Sequence, residues 1–227
     1  MRRLLIVGIV LVLGVTAGMA QDYKKFEISP YIGGTLSEGV DVDPFRIPNT
    51  SITVDRVSPK SSLSWGTGFD YNATENFAVG FNFGQQFSKL RIHQQGAGDL
   101  DAADLSVYNY HGILTYNFGE TDAKIRPFFF GGLGATQYSS GEFSVAGFTS
   151  TGKLSETQFS TTWGGGVKFQ ASKSLGFKVA GRWTPTYIKS DPAGVWCDPY
   201  WWNTCWVIGD SQYSNQFEVS AGVVIRF

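Results

Sequence analysis

After residue 20 the chain has no apolar run of 18 residues, which excludes a membrane-spanning helix from that part of the protein. Charge is scarce as well: Asp, Glu, Lys and Arg make up only 16% of the 227 residues, too few for an ordinary water-facing surface. No basic patch stands out, with 18 Lys and Arg against 19 Asp and Glu, so nothing argues for a nucleic-acid partner. There are two His and two Cys, and no clustered spacing among them that suits a metal site. No Gly-rich phosphate loop is present, because the Gly runs at 131–134 and 164–166 fall inside strand-like segments, where they lighten one face. No cofactor is expected.

At the start stand Arg2 and Arg3, then an apolar stretch from Leu4 to Val15, then Ala17-Gly18-Met19-Ala20. That order is the pattern of a secretory signal peptide. The apolar stretch is 12 residues long, whereas a helix needs about 20 to cross a bilayer. Cleavage is predicted near Ala20, leaving a mature chain from Gln21 that lacks Arg2 and Arg3 and carries a net charge near −3. No Cys lies at the cleavage point, so a lipid-modified terminus is not expected. Residues 1–20 are read as the signal peptide and 21–227 as one domain.

That domain is organised by alternation at period two, which sends successive side chains to opposite faces of a strand. The last segment shows it best: Phe217, Val219, Ala221, Val223, Ile225 and Phe227 alternate with Gln216, Glu218, Ser220, Gly222, Val224 and Arg226. Similar patterns begin near Phe26, Leu63, Phe77, Tyr108, Phe159 and Leu175. Ile125–Tyr138 is also strand-like, but Phe128, Phe129 and Phe130 in a row leave its faces undecided. Eight strands result. Their connections alternate between long (37–60, 89–103, 139–156, 189–213) and short (72–76, 119–124, 171–174).

Long loops on one side and short turns on the other are the layout of a bacterial outer-membrane barrel. Aromatics on the greasy face gather toward both ends, as two girdles at a membrane's interfaces do. They include Tyr71, Phe77, Tyr116, Phe118, Phe169, Phe177 and Phe227 at one end, and Trp65, Phe87, Tyr108, Phe159, Tyr187 and Phe217 at the other. A soluble sandwich or lipocalin-like barrel would carry charge on the opposite face, which here is mostly Gly, Ser, Thr and Asn. The expected fold is therefore all-β: an eight-stranded antiparallel up-and-down transmembrane barrel with both chain ends on the periplasmic side.

Several segments resemble the outer-membrane β-barrel domain superfamily, the small OmpA/OmpX/OmpW-like barrels. They are the signal peptide, Arg126-Pro127-Phe128 leading into Gly131-Gly132-Leu133-Gly134, and Trp163-Gly164-Gly165-Gly166-Val167-Lys168-Phe169. The inward Arg182 and the terminal Val224-Ile225-Arg226-Phe227 complete the likeness, which runs over residues 22–227. By this resemblance Phe227 is the signal that the barrel assembly machinery recognises, and the address is the outer membrane, among its lipid and lipopolysaccharide.

Candidate functional residues fall into three groups. Lys168, Lys178, Arg182, Glu218 and Arg226 on the last three strands, with Glu27 and Asp70 on the first two, are expected to point inward. There they form an ion-pair network across the seam where the last strand meets the first, plugging an interior that side chains largely fill. Cys197 and Cys205, in an exported chain, are expected to form a disulfide contributing about 2–3 kcal/mol. The last long loop gathers Trp196, Tyr200, Trp201, Trp202 and Trp206, which form either a self-packed cap or a surface for an extracellular ligand.

The functional expectation is a monomeric, structural, surface-exposed barrel with binding or adhesion loops. The alternative is a small porin-like channel for minor or apolar solutes, as the OmpW-like branch implies. A lipid A-modifying enzyme is the least favoured reading: His93 falls in the second long loop, His111 points inward, and neither has a nucleophile nearby in sequence.

Overall fold

A computed structural model describes residues 24–46, 53–94, 98–145, 148–150, 154–188, 196–197, 205–206 and 212–227. The predicted signal peptide, residues 1–20, lies outside these residues. Those described contain strands and turns and no helix.

Eight long strands close the barrel: β1 (Phe26–Ser37), β4 (Ser62–Asn72), β5 (Phe77–Gln94), β6 (Gly98–Asn117), β7 (Ile125–Ser140), β10 (Leu154–Gln170), β11 (Leu175–Ile188) and β14 (Gln212–Arg226). Each pairs antiparallel with the next, and β14 pairs with β1 to complete the circle. Closure joins the chain ends: Phe26 and Phe227 exchange both backbone hydrogen bonds, at 3.1 and 3.0 Å. Closing the sheet on itself leaves it no open edge along the seam, which is what a bilayer demands of a spanning structure.

Alternation sets the two faces as the sequence implies. Ile32, Leu63, Leu114, Leu133 and Val219 point outward and are more than half exposed, whereas Ser29, Asn82, His111, Thr136, Ser160 and Thr186 point inward and are buried. On β7 the undecided Phe run is resolved by register: Phe128 and Phe130 turn into the lumen and Phe129 faces lipid. The inward rings need space on the facing strand. Gly164 supplies it for Phe130, since a Cβ there would stand 2.5 Å from that ring. Gly66 and Gly84 do the same for Tyr31.

The sequence differs from the structure in its long connections. Residues 37–60 are not merely a loop: β2 (Val40–Arg46) and β3 (Thr53–Pro59) form a hairpin, and β3 takes over from β4 as the neighbour of β5. The segment 89–103 likewise continues β5 and β6 as a paired ribbon up to Gln94 opposite Gly98, beyond a bulge at Leu90/Arg91. Their alternation is broken at that bulge and at shifts in the β2–β3 and β3–β5 pairing, so a period-two reading loses them. Two short hairpins top the remaining connections: β8 (Phe143–Val145) with β9 (Phe148–Ser150), and β12 (Trp196–Cys197) with β13 (Cys205–Trp206).

Candidate functional site

The lumen is filled in layers. Nearest the periplasmic end, Glu27 accepts from Lys168 Nζ at 2.6 Å and from Arg226 Nε at 3.2 Å. Glu27 and Lys168 are 2% and 3% exposed, so neither charge is shared with bulk water. One carboxylate with two cationic donors from β10 and β14 satisfies the condition for keeping charge in a low-dielectric interior.

Above it, Arg182 reaches from β11 across the barrel, donating to Asn82 Oδ1 on β5 at 2.8 Å and to Tyr31 Oη on β1 at 3.0 Å. Its charge also lies 3.8 Å from Glu218, whose other oxygen accepts from Ser64 at 2.9 Å. The guanidinium rests near the faces of Tyr31 and Phe130, at 5.1 and 5.7 Å from the ring centres. Phe128, Phe130, Ile113 and Ala180 pack together as a buried apolar cluster beside it.

The next layer is neutral. Thr136 Oγ1 lies 2.7 Å from Asn109 Oδ1, 3.0 Å from Ser160 Oγ and 3.2 Å from Thr186 Oγ1; Asn109 donates to Gln216 at 3.2 Å. Toward the outer mouth Leu105, Val107 and Tyr138 form an apolar collar with Leu90 and Ile188 against it.

At ion-pair distance the seven inward charges do not join into one network. Glu27, Lys168 and Arg226 form one group and Arg182 with Glu218 a second. Asp70 and Lys178 stand apart: among the described residues neither has an opposite charge within 4.0 Å, and Asp70 Oδ1 is buried without a hydrogen-bond partner. The seam brings together Glu27 and Arg226, which are direct register partners, whereas Lys168 reaches Glu27 from three strands away.

One pairing was not legible in the sequence. His111 Nε2 lies 2.9 Å from Ser160 Oγ, although 49 residues separate them. Both are fully buried, and the other ring nitrogen has no partner. A His and a Ser in contact have the geometry of a base and a nucleophile. Here they sit on β6 and β10, two strands apart, with both side chains buried in the lumen.

Outside the barrel the β2–β3 hairpin and the β5–β6 ribbon enclose a polar cleft of about 860 Å³, lined by Glu38, Asp41, Asp55, Arg56, Arg91 and Asp99 among others. Arg56 pairs with Asp41 at 2.7 Å, and Asp99 holds both Arg91, at 3.1 Å, and His93 Nδ1, at 2.8 Å. The hydrogen bond from His93 and the charge of Arg91 hold the Asp99 carboxyl below its usual range. The loop 4 residues are only partly visible: Trp196 and Cys197 lie opposite Trp206 and Cys205 in register, while Tyr200, Trp201 and Trp202 lie outside the described residues. Phe227 is half exposed and stacks on Phe26 with ring centres 6.1 Å apart.

Comparison with known proteins agrees with this architecture. No curated protein matches the sequence. Among solved structures, Neisserial surface protein A aligns at 14% identity over 89% of this chain and 97% of its own, with a TM-score of 0.51. OprG from Pseudomonas aeruginosa aligns at 14% identity over 90% and 97%, with a TM-score of 0.52. The outer membrane protein AlkL in lipid bilayers aligns at 13% over 92% and 94%, with a TM-score of 0.50. At such identities these similarities speak for the fold alone. The outer membrane protein beta-barrel domain profile matches residues 8–227, essentially the whole length. With a closed eight-stranded barrel, a lipid-facing apolar wall and that match over its full span, the chain belongs to the outer membrane protein beta-barrel domain family of the bacterial outer membrane.

Proposed function

We propose that this protein is a plugged barrel, anchored in the outer membrane as a monomer, whose work is done by its outer hairpins. The reading is carried by Arg182, which bridges opposite walls of the lumen to Asn82 and Tyr31 while facing Glu218. A side chain held from three directions leaves no continuous water path at that level. The apolar collar of Leu105, Val107 and Tyr138 supports the same reading from the outer side.

Function then falls to what projects into the medium. The β2–β3 hairpin and the β5–β6 ribbon continue the sheet past the membrane and wall a charged cleft of a size that suits a small ligand. Together with the Trp-rich fourth loop they form the surface for an extracellular ligand. The buried His111–Ser160 contact serves packing in this view, not catalysis. The signal peptide directs export and is cleaved near Ala20, and Phe227, next after β14, serves recognition by the assembly machinery. Around the folded barrel lie lipid and lipopolysaccharide.

Planar-bilayer recording of the purified barrel tests the plug. The expected result is a quiet baseline, with no discrete steps over a wide voltage range. Reproducible single-channel steps, lost on substitution of lumen residues, would overturn the plug in favour of a small-solute channel.

A further inference from the structure

The periplasmic half of the lumen holds its charges in an unusual order. Arg126 on β7, Lys168 on β10 and Lys178 on β11 are successive register partners: Lys168 lies opposite Arg126 on one side and opposite Lys178 on the other. On β14 the register partner of Lys178 is Gly222, but Arg226 four residues on adds a cation, so four neighbouring strands each contribute one. Facing them inside the lumen are two carboxylates, Glu27 and Asp70, which are themselves register partners.

Like charges opposite one another across a strand pair repel, and in a membrane interior each must find a counter-charge. Lys168 and Arg226 both spend theirs on Glu27. Arg126 turns to the rim, where its Nη2 donates to the backbone carbonyls of Glu75 and Gly119 and its Nε is left buried and unpartnered. Lys178 is the residue left over. Its ammonium sits 4.9 Å from the centre of the Phe128 ring, a ring that Lys168 also approaches at 5.5 Å. Asp70 and Glu27 attract it from farther off, but within 4.0 Å it has no carboxylate among the described residues. An aromatic face offsets only part of an ammonium's lost hydration.

We infer that the lumen binds a small inorganic anion, of the chloride or phosphate class, beside Lys178, entering from the periplasmic end, where the cations lie. The anion supplies a further counter-charge to four cations that face only two carboxylates, and it makes the plug complete. Asp70, 5% exposed and with one oxygen unpartnered, opposes the anion from β4. Removing that charge strengthens binding.

The test is the temperature at which the purified barrel in zwitterionic detergent loses its compact, unboiled gel band. It is followed while chloride, or in a second series phosphate, replaces bulky gluconate at constant ionic strength. The expected result is a saturable rise of several degrees for the unaltered protein, as a ligand that binds only the folded state requires. Lys178→Met, which keeps the length of the side chain, removes the rise. Asp70→Asn moves half-saturation to a lower anion concentration. A flat titration, or an equal rise in Lys178→Met, overturns the site. Should Lys178→Met fail to fold, Asp70→Asn decides: an unchanged half-saturation point counts against the anion. The outcome is independent of whether the barrel conducts.

Discussion

Arg182 Nη1 and Asn82 Oδ1 meet at 2.8 Å from strands on opposite walls of the barrel. The contact spans the lumen at its middle and ties β11 to β5, four strands away in the closed order. Replacing Arg182 with Met leaves Glu218 buried without its cation. Loss of one partner of a buried pair costs about 3–5 kcal/mol. Urea unfolding of the variant in detergent, followed by tryptophan fluorescence, measures this cost. The same variant in a planar bilayer is expected to show steps absent from the unaltered protein, because the bridging side chain is gone.

The lipid-facing assignment carries its own test. Leu114 is 63% exposed on β6, and Val223 lies on the outer face of β14 midway between Phe217 and Phe227. An Arg at either point is expected to cost about 2–4 kcal/mol, the penalty for a charge near the bilayer midplane. Unchanged stability of both variants in lipid would mean that these faces are turned the other way.

Glycine substitutions separate inside from outside. A Cβ at Gly66 would stand 2.3 Å from the Phe83 carbonyl oxygen and 2.5 Å from the Tyr31 ring. At Gly181 it meets nothing within 4 Å. Gly66→Ala is therefore expected to destabilise by about 1–3 kcal/mol, the range for overfilled packing. Gly181→Ala is expected to fold as the parent does. Their heat-modifiability midpoints provide the comparison.

Cys197 and Cys205 are paired residues of the β12–β13 hairpin. Directly opposed residues of an antiparallel pair have Cα atoms about 4.5–5.5 Å apart, within the reach of a disulfide. Peptide mapping without reductant is expected to find the two segments joined, and reduction to free them. Reduction should leave the barrel's compact migration intact, since the bond closes a loop outside it. Two free thiols in the exported protein would refute the pairing.

Protonation at the tip of the β5–β6 ribbon follows from Asp99. Its carboxyl is held below the ordinary value of 3.8 by the hydrogen bond from His93 first and the charge of Arg91 with it. A depressed carboxyl supports the ribbon above its unfolded value and loses that support as pH falls through the lower, folded one. Carboxyl carbon resonances should therefore place Asp99 below the ordinary aspartate value, and His93→Gln should move it upward.

Much of the barrel was legible because its code is local. On β6, Asn109, His111, Thr115 and Asn117 alternate with Tyr108, Tyr110, Leu114 and Tyr116, and each set lies on the face that period two assigns. The hairpins above the membrane were not legible, because the bulge at Leu90/Arg91 and the irregular register of β2 and β3 break the period. Nor could the ordering of Phe128, Phe129 and Phe130 be read, since three like residues carry no alternation; only pairing with β6 and β10 orients them.

By itself the sequence determined most of the wall: strand number, which side chains meet lipid on every strand but β7, and that seven charges turn inward. Those properties depend on neighbours along one strand, so the amino-acid order contains them. Only the tertiary structure decided what the inward groups touch. Arg182 with Asn82, Lys168 with Glu27 and His111 with Ser160 are separated by 100, 141 and 49 residues. Their meeting depends on strand tilt and stagger around a closed circle, a property of the whole barrel that no single strand records.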